Sequence, residues 1–424
     1  MRTLLVILMA LSADGGSPVA PTRPAEYAQA RRAFTAAFQA GALDEARTAL
    51  ERWRAAAPGR IDLIYDLACV EARAGHADEA FAALEPLTSA GLALDPVADA
   101  DLASLRADPR WTAFLARFKA SRAPLRPEGT ELEVPAKLGL VEDLAPEPRT
   151  GTVFVSSVRT GEVWRRLDGT WRRWARPGPP GYGAFALGVD PVRRVLHVTV
   201  AAVPHAEGFQ KSDEGRSALV TFRLDDGREL ARHVPPGEGH HLLGDLTVGP
   251  DGTVLVSDAL AGAVYRLAPG GHSLEPLVPP HTLINPQTPA LAEDGRTLFV
   301  PDWMLGLFSV PASGGTPQPV LGPPDLVTGG IDGLVTVPGG LLAVQNGIVR
   351  PRLVRLWLSA DGRKVTRWAV LARGPEIGEP THVVAWKGAA LALLDSGWGR
   401  FTDEGTLRPD APAARPRLLQ LDLP

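Results

Sequence analysis

The sequence lacks several features that would each assign a protein to a particular class. Its 424 residues include a single cysteine, Cys69, so an intramolecular disulfide and a zinc site built from cysteines are both excluded. Charges of both signs are mixed along the chain and the formal net charge is −4, so we do not expect binding to nucleic acid. The motif Gly-x-Ser-x-Gly is missing, which removes support for a serine-hydrolase nucleophile. No apolar run is long enough for a transmembrane helix.

The composition that remains is ordinary for a globular protein. Hydrophobic residues make up 45% of the chain and charged residues 22%, and the length suggests two or three domains. Cys69 lies within a helical pattern, where a buried thiol behaves as a small apolar side chain.

The first residues have the order of a signal peptide. Arg2 precedes an apolar run at 4–11, and small residues follow at 12–16. This order predicts a signal peptide and linker over 1–24, and therefore a periplasmic or secreted protein. The alternative is a disordered leader on a cytoplasmic protein.

A short repeat follows the leader. The residues GALDEA at 41–46 recur as GHADEA at 75–80, which is 34 positions later, and apolar-periodic segments flank both copies. The period and the turn resemble the tetratricopeptide repeat. We therefore predict an all-α, tetratricopeptide-like domain over 25–120, with helices at 26–40, 43–57, 61–74 and 77–89 and a capping segment at 99–119. Such a domain either presents a groove to a protein partner or packs against the rest of the chain.

The remainder of the chain repeats a different unit. The segments GTVFVSSVRTGEVWR at 151–165, GTVLVSDALAGAVYR at 252–266 and GRTLFVPDWMLGLFSV at 295–310 share one pattern of strand, turn and strand. Looser copies begin near Leu187, Gly333 and Thr381. Six units of about 45 to 50 residues predict an all-β, six-bladed β-propeller over 130–424. The strand-like segments 131–134 and 417–423 can close the ring by completing the last blade together.

Alignment of the six units predicts two rings of side chains at one mouth of the central channel. The first ring contains Glu142, Phe185, Gly244, Gln287, Asp332 and Pro380. The second contains Asp143, Ala186, Asp245, Thr288, Gly333 and Thr381. Two carboxylates and an amide that converge on a narrow axis suit a hard divalent cation bound through oxygen. Alternatively, Asp143, Asp245 and Asp332 brace loops between blades, and for Asp143 and Asp245 we favour this bracing role.

Three segments resemble the regucalcin/gluconolactonase (senescence-marker-protein-like) family: VEDLA at 141–145, GDLTVGPDG at 244–252 and GIDGL at 330–334. The resemblance implies a six-bladed propeller with a divalent metal at the axial mouth. It makes Glu142 a metal ligand and Asp332 both a ligand and the base. Gln287 aligns with an asparagine ligand of the family, and Gly244 stands where the family has asparagine. Both departures leave the metal geometry and the preference for sugar lactones open.

These observations predict a metal-dependent hydrolase of a lactone or related ester, with a small molecule as its substrate. We expect Glu142, Gln287 and Asp332 to hold the metal, calcium foremost with magnesium, manganese or zinc as alternatives, and Asp332 to carry protons. Substrate contacts are assigned to the residues Asp245, His241 and Thr381. The competing hypothesis is a non-catalytic exported scaffold that binds a ligand or a protein. The polar insertion at 204–215 is either a lid for the mouth or an ordinary surface loop.

Overall fold

The computed structural model describes residues 22–126 and 128–423. The predicted signal peptide lies outside these residues. Within the described ranges, none of the helices combines the length and the apolar character needed to cross a membrane.

The chain begins with a helical segment. Its helices are α1 (Arg23–Ala40), α2 (Leu43–Ala56), α3 (Leu63–Ala74), α4 (Ala77–Leu84), α5 (Leu87–Ala90) and α6 (Pro109–Ala120), with a 3-10 helix at Ala100–Leu105. Gly41 and Gly75 end α1 and α3 in the left-handed conformation, with φ of 74° and 81°, which glycine adopts without steric cost. The predicted fourth helix is shorter than expected, because the chain is interrupted at Pro86 between α4 and α5. The tetratricopeptide resemblance itself stays a prediction.

The rest of the chain is a six-bladed β-propeller, as predicted. Six antiparallel sheets of four strands each surround the axis. The chain enters through β1 (Thr130–Glu133), and the innermost strands are β2 (Val141–Pro146), β6 (Tyr182–Asp190), β10 (Leu243–Val248), β14 (Ala290–Leu291), β18 (Ile331–Val337) and β22 (Val383–Trp386). The second strands are β3 (Val153–Ser157), β7 (Val195–Ala202), β11 (Val254–Asp258), β15 (Thr297–Asp302), β19 (Gly340–Gln345) and β23 (Ala389–Leu394). The third strands are β4 (Val163–Leu167), β8 (Ser217–Arg223), β12 (Ala263–Leu267), β16 (Gly306–Pro311), β20 (Arg352–Leu358) and β24 (Arg417–Asp422). The outer strands are β5 (Thr170–Ala175), β9 (Glu229–His233), β13 (Glu275–Val278), β17 (Gln318–Pro319) and β21 (Val365–Arg373).

The ring closes as the sequence predicts. In the sixth blade β1 takes the outer position and pairs antiparallel with β24, with Glu131 opposite Leu419 and Leu132 opposite Leu418. Strands from both ends of the propeller therefore share one sheet, which leaves no open gap between the first and last blades.

The innermost strands are irregular where they start. Their register with the second strands shifts in four blades, and the shifts fall between Val141 and Leu144, Ala184 and Leu187, Leu243 and Asp245, and Ile331 and Leu334. Such bulges re-aim side chains at a sheet edge. The predicted ring positions of these blades fall at the bulges.

The helical segment packs against blades four and five. Tyr27, Leu50 and Trp53 share one hydrophobic core with Val300 and Phe308 of the fourth blade. At the fifth blade Leu92 forms a β-bridge with Val349, and the buried Arg352 donates to the carbonyl of Ala90 at 2.9 Å. The helices thus pack directly on blades four and five, on the face of the propeller where the innermost strands start.

Candidate functional site

Five acidic side chains converge where the innermost strands start. Glu142 and Asp143 lie on β2, Asp245 on β10, Asp332 on β18, and Glu379 just before the sixth blade begins. Asp143, Asp245 and Asp332 are buried, whereas Glu142 and Glu379 are partly exposed. We call these five residues the axial cluster. The sequence alignment had placed Pro380 in the ring and missed Glu379, which directly precedes it.

Burial and mutual repulsion dominate the electrostatics of the axial cluster. Burial raises the pKa of Asp332 well above its usual range, and the negative charges of Glu142 and Asp245 raise it further. The pKa of Glu142 is raised in the same direction, first by burial and then by neighbouring carboxylates. Burial raises the pKa of Asp245 to about 7. Each of these groups is therefore costly to ionise unless a positive charge lies close to it.

A tryptophan holds Glu142. The indole Nε1–H of Trp398, in the sixth blade, donates to Oε2 of Glu142, and this bond opposes the rise in the pKa of Glu142. The Thr381 hydroxyl donates to the Glu142 carbonyl at 2.7 Å. Thr381, predicted to contact substrate, therefore ties the sixth blade to the first.

An asparagine plays the corresponding part for Asp332. Asn346 Nδ2 donates to Asp332 Oδ2 and also to the Pro380 carbonyl, the latter at 3.1 Å. Its Oδ1 accepts from the indole Nε1–H of Trp303 at 3.2 Å. Because an indole N–H only donates, Trp303 determines which end of the amide faces Asp332. Sequence reasoning missed Asn346, since no repeat or motif marks the residue after β19.

The second-ring carboxylates join blades, in agreement with the bracing role favoured above. Asp143 accepts from the backbone N–H of Leu187 at 2.7 Å and from Nε2 of His382 at 3.0 Å. Burial lowers the pKa of His382 to about 3, which keeps the ring neutral, and burial raises the pKa of Asp143. Asp245 accepts from the Thr288 hydroxyl at 2.6 Å. These bonds link blades six, one and two, and blades three and four.

The other predicted residues lie at the mouth with partners of their own. Gln287 Nε2 donates to the side-chain oxygen of Asn285, so its Oε1 is the atom that could face a cation. His241 Nδ1 is 2.7 Å from Asp258 Oδ2, and its Nε2 is buried without a hydrogen-bond partner. The assignment of His241, Asp245 and Thr381 to substrate binding stays a prediction.

The axial cluster fits a divalent cation in charge and in donor type, because its side chains offer carboxylate oxygens in a buried, negatively charged setting. Its spacing is looser than that of a compact cage. Over residues 22–126 and 128–423, one group brings three ligand atoms of acidic, cysteine or histidine side chains within 4.8 Å of one another. That group is Cys69, Asp99 and Asp101 of the helical segment, and it lies outside the axial cluster. Water would therefore have to complete the coordination of a cation at the axis.

Two cavities lie away from the axial cluster. One of about 730 Å³ lies between the helical segment and blade four, and Arg23, Arg52 and Phe308 are among its lining residues. Another of about 470 Å³ is lined by the Pro338 and Lys387 turns and by Arg355. Neither cavity includes a residue of the axial cluster.

Comparison with known proteins yields likeness of fold alone. No protein-family model matches the sequence, and no curated protein matches it. A putative oxidoreductase (glucose dehydrogenase) from Thermus thermophilus is 19% identical with a TM-score of 0.47, over 69% of this chain and 99% of the other. A PQQ-bound aldose sugar dehydrogenase from Streptomyces coelicolor is 15% identical with a TM-score of 0.46, over 71% and 99%. A gluconolactonase from Xanthomonas campestris is 15% identical with a TM-score of 0.46, over 70% and 95%. At these values the likenesses carry no argument about activity.

Proposed function

We propose that the axial mouth hydrolyses a lactone or a related ester with the help of a divalent cation, calcium foremost. The observation that carries the proposal is the axial cluster itself, in which burial opposes the ionisation of Glu142, Asp245 and Asp332, and repulsion adds to this at Glu142 and Asp332. A chain that gathers buried carboxylates in this way needs either protons or a cation to stabilise them. Glu142, Asp332 and Oε1 of Gln287 are the proposed ligands.

The chemistry follows from the positions of these side chains. When bound, the cation would polarise the ester carbonyl and favour ionised carboxylates. Asp332, held by Asn346 at Oδ2, would then accept a proton from water at Oδ1. The water oxygen forms a bond to the carbonyl carbon, the ester C–O bond breaks, and the proton passes from Asp332 to the departing alkoxide. The product of a lactone is the open hydroxy acid.

The alternative is a non-catalytic scaffold. The bonds from Asp143 to Leu187 and from Asp245 to Thr288 favour it, because they show that part of the axial cluster holds blades together. In that case the carboxylates would be protonated or braced, and no cation would be needed.

Thermal melts with and without calcium distinguish the two functions. We expect chelator to lower the melting temperature of the wild type, and calcium or manganese to restore it by mass action. Asp332→Ala should abolish this response and any hydrolysis of a lactone panel. Glu142→Gln should weaken the response, and Gln287→Ala should weaken it less, since water can replace a neutral ligand.

Glu45→Gln, an exposed change on α2, is the matched control and should respond as the wild type does. If calcium, manganese and chelator leave the melting temperature of the wild type unchanged, the metal-dependent function is contradicted. Loss of stability in Asp332→Ala that is equal with and without chelator would support the scaffold.

A further inference from the structure

Two loops meet over the axial mouth. The insertion loop, residues 203–216, joins β7 to β8 in the second blade, and the blade-six loop, residues 395–416, joins β23 to β24. Both connect a second strand to a third strand, so both lie on the face of the propeller where the innermost strands start. The insertion loop is the polar segment that the sequence left open as lid or ordinary loop.

The two loops interlock. The ring of His205 in the insertion loop packs edge to face on Trp398 of the blade-six loop, with centroids 4.8 Å apart. Gly405 passes so close to the insertion loop that a Cβ there would lie 2.1 Å from the Pro204 carbonyl oxygen. Arg159 of the first blade donates to the His205 carbonyl at 3.1 Å. Three blades therefore hold His205 and Trp398 together.

One turn of the blade-six loop contacts two members of the axial cluster. Trp398 begins the turn Trp398–Arg400, and its indole N–H donates to Glu142. The next residue, Gly399, donates its backbone N–H to Glu379 Oε2 at 2.6 Å. Both donors are neutral, so they orient carboxylates without cancelling their charge.

We infer that Trp398 is a positioning residue that holds Glu142 toward the axis, and that His205 holds Trp398 there. The insertion loop thereby sets the geometry of an axial carboxylate that it does not touch. A partly exposed glutamate among like charges would otherwise turn toward solvent, where its charge is better hydrated. The consequence for cation binding rests on the proposed function, whereas the coupling between Trp398 and Glu142 does not.

The first measurement is cation affinity, obtained by calorimetric titration of calcium into the chelator-treated full-length protein. Trp398→Phe keeps an aromatic ring beside His205 and removes the N–H, so we expect it to weaken calcium binding about tenfold or more, the loss typical of residues that orient a metal ligand. His205→Ala removes the ring contact and should weaken binding about threefold, in line with the strength of an aromatic pair.

The control is a second tryptophan–glutamate pair outside the axis. Trp164 Nε1 donates to Glu162 Oε2 at 2.9 Å within the first blade, so Trp164→Phe removes the same kind of bond without touching the axial cluster. Calcium affinity in Trp164→Phe should equal that of the wild type.

The second measurement needs no cation. Urea unfolding in chelator is compared for the wild type, Trp398→Phe, Glu142→Ala and the double variant. If Trp398 holds Glu142, the two substitutions should be non-additive, because Trp398→Phe removes the donor and Glu142→Ala the acceptor of the same bond. Trp164→Phe combined with Glu142→Ala should be additive.

Additive effects of Trp398→Phe and Glu142→Ala would overturn the inference, as would wild-type calcium affinity in Trp398→Phe while Glu142→Ala binds weakly. If the wild type binds no cation, the metal part of the proposed function fails, and the double-variant comparison alone decides the role of Trp398. If Trp398→Phe does not fold, the same measurements are made on His205→Ala instead. Unchanged calcium affinity in a folded His205→Ala, or additivity with Glu142→Ala if no cation binds, would then overturn the coupling through His205.

Discussion

The carboxylates at the axial mouth fall into two kinds, those that hold blades together and those suited to bind a cation. Asp143 has its hydrogen bonds satisfied by Leu187, Leu144 and His382, and it is fully enclosed between blades. Glu142 and Asp332 each receive one neutral donor, from Trp398 and Asn346, and remain under repulsion from their neighbours. Residues of the first kind stabilise the ring, and residues of the second kind are the better candidates for binding a cation.

The buried imidazole of His382 should make the protein sensitive to acid. Burial lowers its pKa from 6.5 to about 3. Below pH 6.5 the imidazole is therefore protonated in the unfolded chain but stays neutral in the native state. The stability that neutral His382 contributes is therefore complete above pH 6.5 and is lost as the pH falls toward about 3. In urea unfolding between pH 7 and pH 4.5, His382→Gln should lose stability less steeply than the wild type, by up to about 1.4 kcal/mol per pH unit.

His272→Gln, at an exposed position, serves as the control and should follow the wild type. Buried Asp245, whose pKa is raised to about 7, stabilises the native state as the pH falls, which is opposite to the effect of His382. It does so equally in the wild type and in both variants. The comparison between variants therefore reports on His382 together with its contact Asp143, whose pKa burial raises. Equal slopes in His382→Gln and the wild type would refute the prediction.

Among the elements, β1 has the most direct effect on the ring, because it is the strand that joins the two ends of the propeller. It is short and largely exposed, and it is held by pairing with β24. The chain reaches it through Gly129, where the backbone of β24 comes so near that a Cβ would lie 2.2 Å from the Gln420 carbonyl oxygen. A backbone oxygen cannot give way as a flexible side chain can.

Gly129→Ala should therefore loosen ring closure. We expect the clash to push β1 away from β24 and to lower the free energy of unfolding by about 1 to 3 kcal/mol, as overpacking does elsewhere. Scanning calorimetry of Gly129→Ala against Thr130→Ala, an exposed neighbour in the same strand, measures this. A melting temperature for Gly129→Ala equal to that of Thr130→Ala would show that β1 tolerates the displacement.

In the complete chain, backbone hydrogen bonds join the helical segment to the propeller, and two independent domains would lack such bonds. Gly59 donates its N–H to the Leu305 carbonyl at 3.1 Å, and its carbonyl accepts from Thr328 and Gly329 at 3.2 and 3.0 Å. A Cβ on Gly59 would lie 2.3 Å from the Thr328 hydroxyl and 2.5 Å from Gly306 Cα. The two parts thus meet backbone to backbone beside the mouth.

Gly59→Ala should separate these surfaces and destabilise the entire chain. Because helices α1 and α2 share a core with blade four, we expect one cooperative unfolding transition. The substitution should lower the free energy of unfolding by about 1 to 3 kcal/mol. Calorimetry and tryptophan fluorescence should report the same midpoint. Gln39→Ala, exposed on α1, is the control. Two resolved transitions, with the lower one alone moved by Gly59→Ala, would instead indicate an independent helical domain.

Features that repeat along the chain could be predicted from the sequence alone. Six units with similar turns specify six blades, and a glycine that recurs 34 positions later specifies where two helices end, because strand pairing and helix capping depend on residues close together in the chain. The same repeats identified Glu142 and Asp332 as equivalent positions on different blades, and the segments 131–134 and 417–423 as the closing strands. Local patterns suffice for such features.

Contacts made by residues outside the repeat became visible only in the folded ring. Trp398 reaches Glu142 from a loop of the sixth blade, and Asn346 reaches Asp332 from a loop of the fifth blade, to which Asp332 also belongs. No repeated spacing in the sequence relates Trp398, Asn346 or Glu379 to these two carboxylates. Likewise, only the packed molecule shows that Gly59 lies against blade four. Closure of the ring brings Trp398 to Glu142 across 256 positions of sequence, so such partners depend on the shape of the whole propeller rather than on any segment of the chain.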